Sequence, residues 1–295
     1  MDPSPAPLPR PGVPALDARL GQPVPVLDHG FVRVIDYMGD DAAVVQAARV
    51  SYGKGTKAVR EDRGLIRYLM RHRHTTPFEM CVLKLHVKLP IFVARQWIRH
   101  RMASVNEVSA RYSVLDREFY LPEPGALAVQ SADNKQGRGA ALPPDQAARV
   151  LGWLAADGEA AFSRYDALHG EEGLARELAR LGLPLSTYTQ WYWKADLHNL
   201  FHFLSLRMDP HAQWEIRAYA DAIFAFVQDW VPLSAEAFTD YRLGGVALSR
   251  MAVGALRARL RGEPVSPEAH GLSAREWAEL CAVFGAGLDG GPGPG

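Results

Sequence analysis

The polar residues of this chain are densest between residues 99 and 112, which read Arg99-His100-Arg101-Met102-Ala103-Ser104-Val105-Asn106-Glu107-Val108-Ser109-Ala110-Arg111-Tyr112. Basic side chains alternate there with serine, asparagine and glutamate, whereas a solvated charge run is usually less varied. Guanidinium groups bind phosphate oxygens through two parallel hydrogen bonds, and hydroxyl and amide groups complete such a site. The segment therefore predicts an anion-binding site, with a solvated basic loop as the alternative.

The chain around this segment is basic, although the whole protein of 295 residues carries a formal net charge of zero. Between Arg67 and Arg117, ten Lys or Arg residues and three acidic residues leave a local balance of +7. A neutral chain has no overall field that would attract nucleic acid or an anionic membrane. The local excess predicts that an anionic ligand binds in this zone.

Hydrophobic patterning predicts a single α/β domain with a mixed sheet flanked by helices. Strands are expected where apolar residues alternate with polar ones or where β-branched and aromatic residues cluster, at residues 31–35, 82–89 and 185–193. Helices are expected at residues 40–52, 63–73, 90–99, 196–208 and 213–231, with a longer one opened by Pro143 or Pro144. The polar motif then follows the helix that begins at Pro90.

Composition also predicts the limits of the domain. Residues 1–26 contain eight prolines and lack hydrophobic periodicity, which predicts a disordered tail. The domain itself is expected at residues 27–245, a C-terminal helical extension at 246–288 and a Gly/Pro tail at 289–295. Within the domain, residues 121–145 are rich in Pro, Gly and Ala and are expected to form a long solvated loop.

Two cysteines, Cys81 and Cys281, lie far apart without the Cys-x-x-Cys spacing of thiolate metal sites. Cys81 stands in a strand-like run without a Cys-His arrangement, so both are expected to be packing residues. The N-terminus lacks the pattern of a secretory signal, and no apolar run reaches the roughly 20 residues that cross a bilayer. These features predict a cytoplasmic protein.

The helix before the motif is predicted to carry functional side chains on one face. Gln96 lies three residues before Arg99 and four before His100, so an amide, a guanidinium and an imidazole share that face. Glu107, set among arginines, is expected to stay ionised and to orient them or accept hydrogen bonds from a ribose or base. A structural ion pair is the alternative for Glu107.

Two other functions are weighed against this interpretation. His198 and His202 lie four residues apart, which is also a zinc-ligand spacing, but the His-Glu-x-x-His motif is absent because Asn199 follows His198. A third ligand would have to be Asp209, His211 or a remote residue. A nucleotide- or RNA-binding module could instead stack bases on aromatic residues of the basic zone, but no RNP-like or KH-like pattern is present. We expect neither metal nor nucleic acid.

Residues 99–112 fit the pattern R-H-R-x-x-S-x-N-E-x-S-x-R-Y at its nine fixed positions, and this pattern resembles the motif of the flavin-dependent thymidylate synthases. Supporting segments occur in the family's order at residues 76–79, 90–97 and 206–215. The resemblance spans roughly residues 27–245 and leaves both ends of the chain outside it. It implies that family's α/β fold.

The resemblance implies methylation of dUMP to dTMP, with methylenetetrahydrofolate as carbon donor and with reducing equivalents passing from NADPH through FAD, which carries the redox chemistry. It implies a reaction without a cysteine nucleophile. It also implies a homotetramer whose subunits share active sites, without nucleic-acid or membrane partners. The alternative is a flavoprotein of the same fold that acts on another substrate.

The resemblance assigns roles to individual positions. Residues similar to the family's dUMP contacts are Gln96, Arg99, Glu107, Ser109, Ala110, Arg111, Arg180 and Arg207. Residues similar to its FAD contacts are His74, Thr76, Glu79, Arg99, His100, Arg101, Asn106, Glu107, Asp196, His198, His202 and His211. Many family members have Asn, Arg and Asn where this chain has Asp196, His198 and His202, so contacts there are expected to differ.

Arg207 is the predicted catalytic residue. It resembles the arginine that stabilises negative charge on the pyrimidine ring as the ring is activated, a task that a preorganised charge in a dry site performs without a covalent bond. The alternative is a basic residue that only stabilises the C-terminal end of its helix through the helix dipole.

Overall fold

The computed structural model describes residues 11–50, 59–132 and 137–285 of the chain. By its internal contacts the chain divides into two compact units, with the boundary between Leu243 and Gly244. This boundary lies two residues before the predicted limit at 245. The predicted tail at 289–295 lies outside the described residues, and the predicted sheet and its helices all belong to the first unit.

Within the described residues of the first unit, five strands form one sheet in the order β1, β2, β3, β7, β4. Their bounds are Pro23–Val26 (β1), Gly30–Met38 (β2), Val82–Pro90 (β3), Ser104–Glu107 (β4) and Tyr188–Asp196 (β7). The α/β class is confirmed, but every pairing in this sheet is antiparallel where a mixed sheet was expected. The alternation of buried and half-buried residues along β3 explains this, because parallel strands are usually buried on both faces.

Helices surround the sheet in the first unit. Their bounds are Pro14–Asp17 (α1), Asp41–Val50 (α2), Val59–Arg71 (α3), Thr76–Glu79 (α4), Ile91–Trp97 (α5), Pro144–Gly170 (α6), Arg176–Ala179 (α7), Leu197–Arg207 (α8), Trp214–Trp230 (α9) and Pro232–Phe238 (α10). A π-helix follows at Thr239–Leu243. The predicted helices 63–73, 90–99, 196–208 and 213–231 are present with shifted ends, and residues 51 and 52 of the predicted helix 40–52 lie outside the described residues.

Up to residue 285, where the described part of the second unit ends, this unit forms three helices, Arg250–Leu260 (α11), Pro267–His270 (α12) and Ala274–Phe284 (α13). Each is preceded by a serine whose side chain accepts a backbone hydrogen bond at the helix start, namely Ser249, Ser266 and Ser273. A small apolar cluster that includes Ala255 and Leu280 holds this unit together. None of the helices in the described ranges has the length and apolar character of a membrane span.

An aromatic cluster in the core of the first unit fixes the end of α5. Trp97, the last residue of α5, is fully buried, and its ring centroid lies 5.6 Å from those of Trp191 and Trp193 on β7. It lies 4.6 Å from the ring of Phe203 on α8. Aromatic pairs of this kind contribute about 0.5 to 1.5 kcal/mol each beyond the area they bury. The start of the polar motif is therefore tied to the sheet.

The strand predicted at 185–193 lies three residues further along, at Tyr188–Asp196. It passes directly into α8, because the carboxylate of Asp196 accepts a hydrogen bond from the backbone N–H of Asn199 at 2.9 Å and caps that helix. The aromatic residues predicted a strand correctly. The capping interaction sets where the strand ends and the helix begins.

The prediction that residues 1–26 form a disordered tail differs from the structure beyond residue 13. Residues 14–17 form α1 and residues 23–26 form β1, and Leu16 is fully buried in the main core. The Tyr37 hydroxyl donates to Asp17 at 2.5 Å and accepts from the backbone N–H of Val13 at 2.6 Å. Proline is compatible with a first helical turn and with an edge strand, so a high proline content did not exclude either element. Residues 1–10 lie outside the described residues.

The segment 121–145, predicted to be a long solvated loop, contains a two-stranded sheet. Ala128–Gln130 (β5) pairs with Arg138–Ala141 (β6) in antiparallel register. Arg138 also forms an ion pair with Glu215, which is 2% exposed. The contact with Glu215 could not be predicted from composition, because the two residues lie 77 positions apart in the chain.

We predict that Leu16→Ala lowers the free energy of unfolding by about 2 to 5 kcal/mol, the usual cost of a cavity in place of a buried leucine. Leu16 lies in α1 and is fully buried, whereas Leu20, three residues after the end of α1, is 39% exposed. Denaturant unfolding of L16A and of the control L20A measures the difference. Equal, small effects of both changes would contradict the packing of residues 14–26 against the core.

Candidate active site

Arg207 and Gln96 meet although they are 111 residues apart in the sequence. Arg207 ends α8, and its Nη2 donates a hydrogen bond to the backbone carbonyl of Gln96 in α5 at 3.2 Å. Both residues line an open cavity of about 520 Å³, whose other wall is the loop at residues 209–213. The fold thus places the predicted catalytic arginine beside a predicted dUMP contact.

The polar atoms at this cavity have unused hydrogen-bonding capacity. Arg207 Nε and Gln96 Oε1 are buried and have no hydrogen-bond partner within the described residues. A buried polar atom without a partner costs roughly 1 to 3 kcal/mol. Burial lowers the pKa of Arg207, but a guanidinium stays protonated in proteins. Arg207 therefore places a positive charge at the cavity wall, next to two polar atoms whose hydrogen-bonding capacity is unused.

His100 lies next to this pair, at the turn that follows α5. Its Nε2 is buried without a partner in the described chain, and its ring centroid lies 5.5 Å from that of His202. Burial lowers the pKa of His100, and the nearby His202 and Arg207 lower it further. We therefore expect a neutral imidazole, able both to donate and to accept a hydrogen bond.

A second cavity, of about 280 Å³, brings together three histidines that the sequence analysis assigned to the cofactor: His74, His198 and His202. Arg73 and Arg242 also line it. A neighbouring cavity of about 630 Å³ shares His74 with it and adds Thr76. The structure thus groups four of the predicted cofactor residues around two adjoining cavities.

The middle of the polar motif forms the edge strand β4, which pairs with β7 through the register Ser104↔Lys194 to Glu107↔Trp191. All four of its residues are exposed. Glu107 accepts a hydrogen bond from the Thr189 hydroxyl at 2.6 Å, which fixes its carboxylate against the sheet. Asn106 belongs to the same strand, and Arg99 and Arg101 are exposed just before it.

The residues after β4 also present polar groups at the surface. The Ser109 hydroxyl accepts from the backbone N–H of Arg111 at 3.4 Å, and Ala110 between them is buried. The Arg111 guanidinium lies 5.5 Å from the ring centroid of Tyr112. These three predicted dUMP contacts are thus held in one short turn.

The chain does not bring all predicted residues together. Glu79 and Arg180 are exposed, and within the described residues no hydrogen bond or ion pair joins their side chains to another residue of the site. Asp196 uses both carboxylate oxygens on Asn199, at 2.9 Å and 2.7 Å. His211 lines the cavity of Arg207, and its Nδ1 lies 2.9 Å from the Asp209 carboxylate. Hydrogen bonds from His211, the backbone one first, lower the pKa of Asp209.

A buried carboxylate, which was not predicted from the sequence, lies behind this cavity. Glu215 accepts hydrogen bonds from the Tyr120 hydroxyl at 3.2 Å and from Gln213 Nε2 at 2.9 Å, besides its ion pair with Arg138. Burial, with Glu215 as the next cause, raises the pKa of Tyr120. Gln213 lines the Arg207 cavity, so Glu215 holds part of the cavity wall. Glu215 belongs to the segment 206–215, whose resemblance to the family was the one sequence feature that could have predicted a role for it.

Arg73 and Arg242 were missed as well, because nothing in their sequence neighbourhoods predicts a shared cavity. The zinc alternative finds no support in the part of the chain that the structure describes, where no group of three or more His, Cys, Asp or Glu side chains could hold a metal ion. His198 and His202 line the 280 Å³ cavity together with arginines, which repel a cation.

Comparison with known proteins identifies the family. The family model described as "Thymidylate synthase complementing protein" matches residues 33–233. The flavin-dependent thymidylate synthase of Ruegeria pomeroyi is 65% identical over 275 residues, which cover 92% of this chain and 91% of that protein. The flavin-dependent thymidylate synthase of Gluconobacter oxydans is 62% identical over 277 residues, which cover 93% and 91%.

A protein of known structure is also similar to this chain. The UMP/dUMP methylase PolB from Streptomyces cacaoi, in its crystal structure bound with 5-Br UMP, matches with a TM-score of 0.67 at 38% identity. The match covers 74% of this chain and 96% of that chain. The chain described here therefore belongs to the flavin-dependent thymidylate synthase family.

Proposed function

We propose that this protein reductively methylates dUMP to dTMP, with methylenetetrahydrofolate as carbon donor and NADPH-reduced FAD as hydride source. The observation that carries the proposal is the cavity where Arg207 and Gln96 converge with buried polar atoms that have no partner in the described chain. Family membership supports the reaction. The brominated UMP and dUMP bound in two crystal structures of the methylase PolB support a uracil nucleotide as the ligand.

In this proposal Gln96 and Arg207 recognise the pyrimidine. The edge of a uracil ring presents an N–H donor between two carbonyl acceptors, which an amide oxygen and guanidinium N–H groups complement. Arg207 is held by its hydrogen bond to the Gln96 carbonyl, so its charge is in place before negative charge develops on the ring. A fixed charge in a site of low dielectric stabilises that negative charge without a covalent bond to the protein.

The phosphate is assigned to the exposed basic groups of the motif and to Arg180. Ser109, Ala110 and Arg111 lie in the turn after β4 and Arg99 lies before that strand, whereas Arg180 lies apart from the Arg207 cavity. We propose that subunits of a homotetramer share their sites, so that residues exposed in one chain complete the site of another. The fully exposed edge strand β4 is consistent with such a contact.

The residues of the two adjoining cavities fit a flavin cofactor. His100 Nε2 is buried without a partner in the described chain, and His74, Thr76, His198 and His202 line the cavities beside it. When bound, FAD supplies the hydride chemistry. We assign to it these residues together with Glu79, Arg99, Arg101, Asn106, Glu107, Asp196 and His211. In this assignment Asp196 acts by capping α8, which fixes the turn that carries His198.

The cytoplasmic location expected from the sequence is part of the same proposal.

The absorbance spectrum of the purified protein, recorded with and without dUMP, tests directly whether the protein binds a flavin. Assays with UMP in place of dUMP test the remaining alternative, a flavoprotein of this fold that acts on another substrate. A protein that cannot be loaded with FAD, or that methylates UMP and not dUMP, contradicts the proposed function.

We predict that Arg207→Lys retains FAD but forms dTMP about a hundred- to a thousandfold more slowly, the usual cost of removing one preorganised donor from a transition state. Lysine keeps the charge but lacks the planar fork that contacts two ring atoms together. The measurement is single-turnover dTMP formation with pre-reduced flavin and saturating dUMP. Arg95→Lys, an exposed arginine on the same α5 helix as Gln96, is the control. Loss of NADPH oxidation with dTMP formation intact would assign Arg207 to the flavin instead.

We predict that Cys81→Ala retains dTMP formation and lowers thermal stability. Burial, followed by the nearby Asp40 and Asp41 charges, raises the pKa of the Cys81 thiol to about 12, so the thiolate is absent at neutral pH. The loss of stability follows because Cys81 is fully buried in the core. Cys281→Ala is the control. Loss of turnover in a folded, FAD-loaded C81A protein would revive covalent catalysis.

A further inference from the structure

Two arginines, and no acidic residue of the described chain, line the 280 Å³ cavity. Arg73 follows α3, and Arg242 lies in the π-helix Thr239–Leu243. Twelve of the described residues line the cavity, and the polar ones are the two arginines, three histidines, Thr75 and Ser205. Its apolar side is formed by Leu69, Met70, Phe78, Phe201 and Phe238. The cavity therefore has the composition of a site for an anion attached to an apolar group.

The two guanidinium groups are close enough to act on each other. Burial is the first cause that lowers the pKa of Arg242, and the charge of Arg73 is the second. Within the described residues neither side chain makes an ion pair, whereas Arg67 on the preceding helix pairs with both Glu236 and Asp240. The nearby carboxylates are thus already engaged, and two like charges are left facing the cavity.

The backbone at Arg73 is unusual. Its φ of 60° lies in the left-handed region, and Leu27 is the other non-glycine residue with a positive φ among the described residues. The next residue, His74, is held by a hydrogen bond from its backbone N–H to the carbonyl of Leu69 at 3.0 Å. Side chains other than glycine are strained in this conformation, and such strain often marks a functional site.

We propose that Arg73 and Arg242 form a subsite for the diphosphate of the flavin dinucleotide. The inference rests on the proposed function. Paired guanidinium groups match phosphate oxygens in charge and in hydrogen-bond geometry, and a bound diphosphate removes the repulsion between them. A volume of 280 Å³ holds only part of a dinucleotide. The larger cavity that shares Leu69, His74 and Thr75 provides room for the rest.

A phosphate-bearing ligand here could also be NADPH, so the experiment separates the two sources. The variants are Arg73→Gln, Arg242→Gln and the double variant. Arg71→Gln removes the same charge from an exposed residue outside the cavity and serves as the matched control. Arg73→Lys tests whether restoring the charge restores binding. The melting temperature of each apoprotein verifies that it is folded.

The first readout is the dissociation constant of FAD, measured by quenching of flavin fluorescence on titration with apoprotein. We expect R73Q and R242Q each to weaken FAD binding about ten- to a hundredfold, the range for losing a charge-assisted hydrogen bond. The control stays at the wild-type value, and R73K lies closer to the wild type than R73Q does. The double variant also shows a shallower dependence of FAD affinity on ionic strength, because fewer charges contact the ligand.

The second readout is the Michaelis constant for NADPH in the FAD-loaded proteins, which we expect to be unchanged. Wild-type FAD affinity in the double variant overturns the proposal, and so does a loss equal to that of R71Q. Intact FAD binding with a raised Michaelis constant for NADPH assigns the arginines to the reductant and also overturns it. In all three cases the wild type still binds FAD and forms dTMP, whereas failure of the wild type itself contradicts the proposed function.

Discussion

The burial of Trp97 among the aromatic rings of β7 and α8 is the interaction on which the candidate site depends. Gln96 directly precedes Trp97, and the motif from Arg99 to Tyr112 follows two residues later. The position of the buried indole ring therefore fixes the position of Gln96 and the point at which the motif starts. The cluster also leaves the indole Nε1 of Trp97, Trp191 and Trp193 buried without partners in the described chain. Each such group costs roughly 1 to 3 kcal/mol, and aromatic packing and burial of large side chains offset that cost.

Charge in this protein is divided between structure and site. The local excess of +7 between Arg67 and Arg117 suggested that the whole zone serves an anion. Yet Arg67 pairs with Glu236 and Asp240, Lys88 with Glu118, and Arg117 with Glu159 and Asp166. All of these acidic residues lie outside the segment from Arg67 to Arg117. A charge balance over a segment therefore overestimated the charge left for a ligand, whereas the charge of Arg207 remains available at its cavity.

The loop at residues 209–213 shows how the second half of the chain completes the site. It connects α8, which ends at Arg207, with α9, which opens with Trp214 and the buried Glu215. Glu215 takes hydrogen bonds from the segment before the β5–β6 hairpin, from the hairpin itself and from the loop, through Tyr120, Arg138 and Gln213. The residues at 121–145, which composition described only as a loop, are thus linked to the wall of the active-site cavity.

The sequence by itself determined the local features of the molecule. The alternation in β3, the helix after Pro90 and the nine fixed positions of the motif depend on neighbours within a few residues, and they predicted the elements and the family. Tertiary structure alone decided that Ser104–Glu107 pairs with β7, that Leu16 is buried, that Glu215 meets Arg138, and that Arg73 shares a cavity with Arg242. Each of these depends on residues distant in the chain, whose contacts have no periodicity or spacing in the sequence. Local propensity can be read along the chain, whereas the packing that joins distant segments cannot.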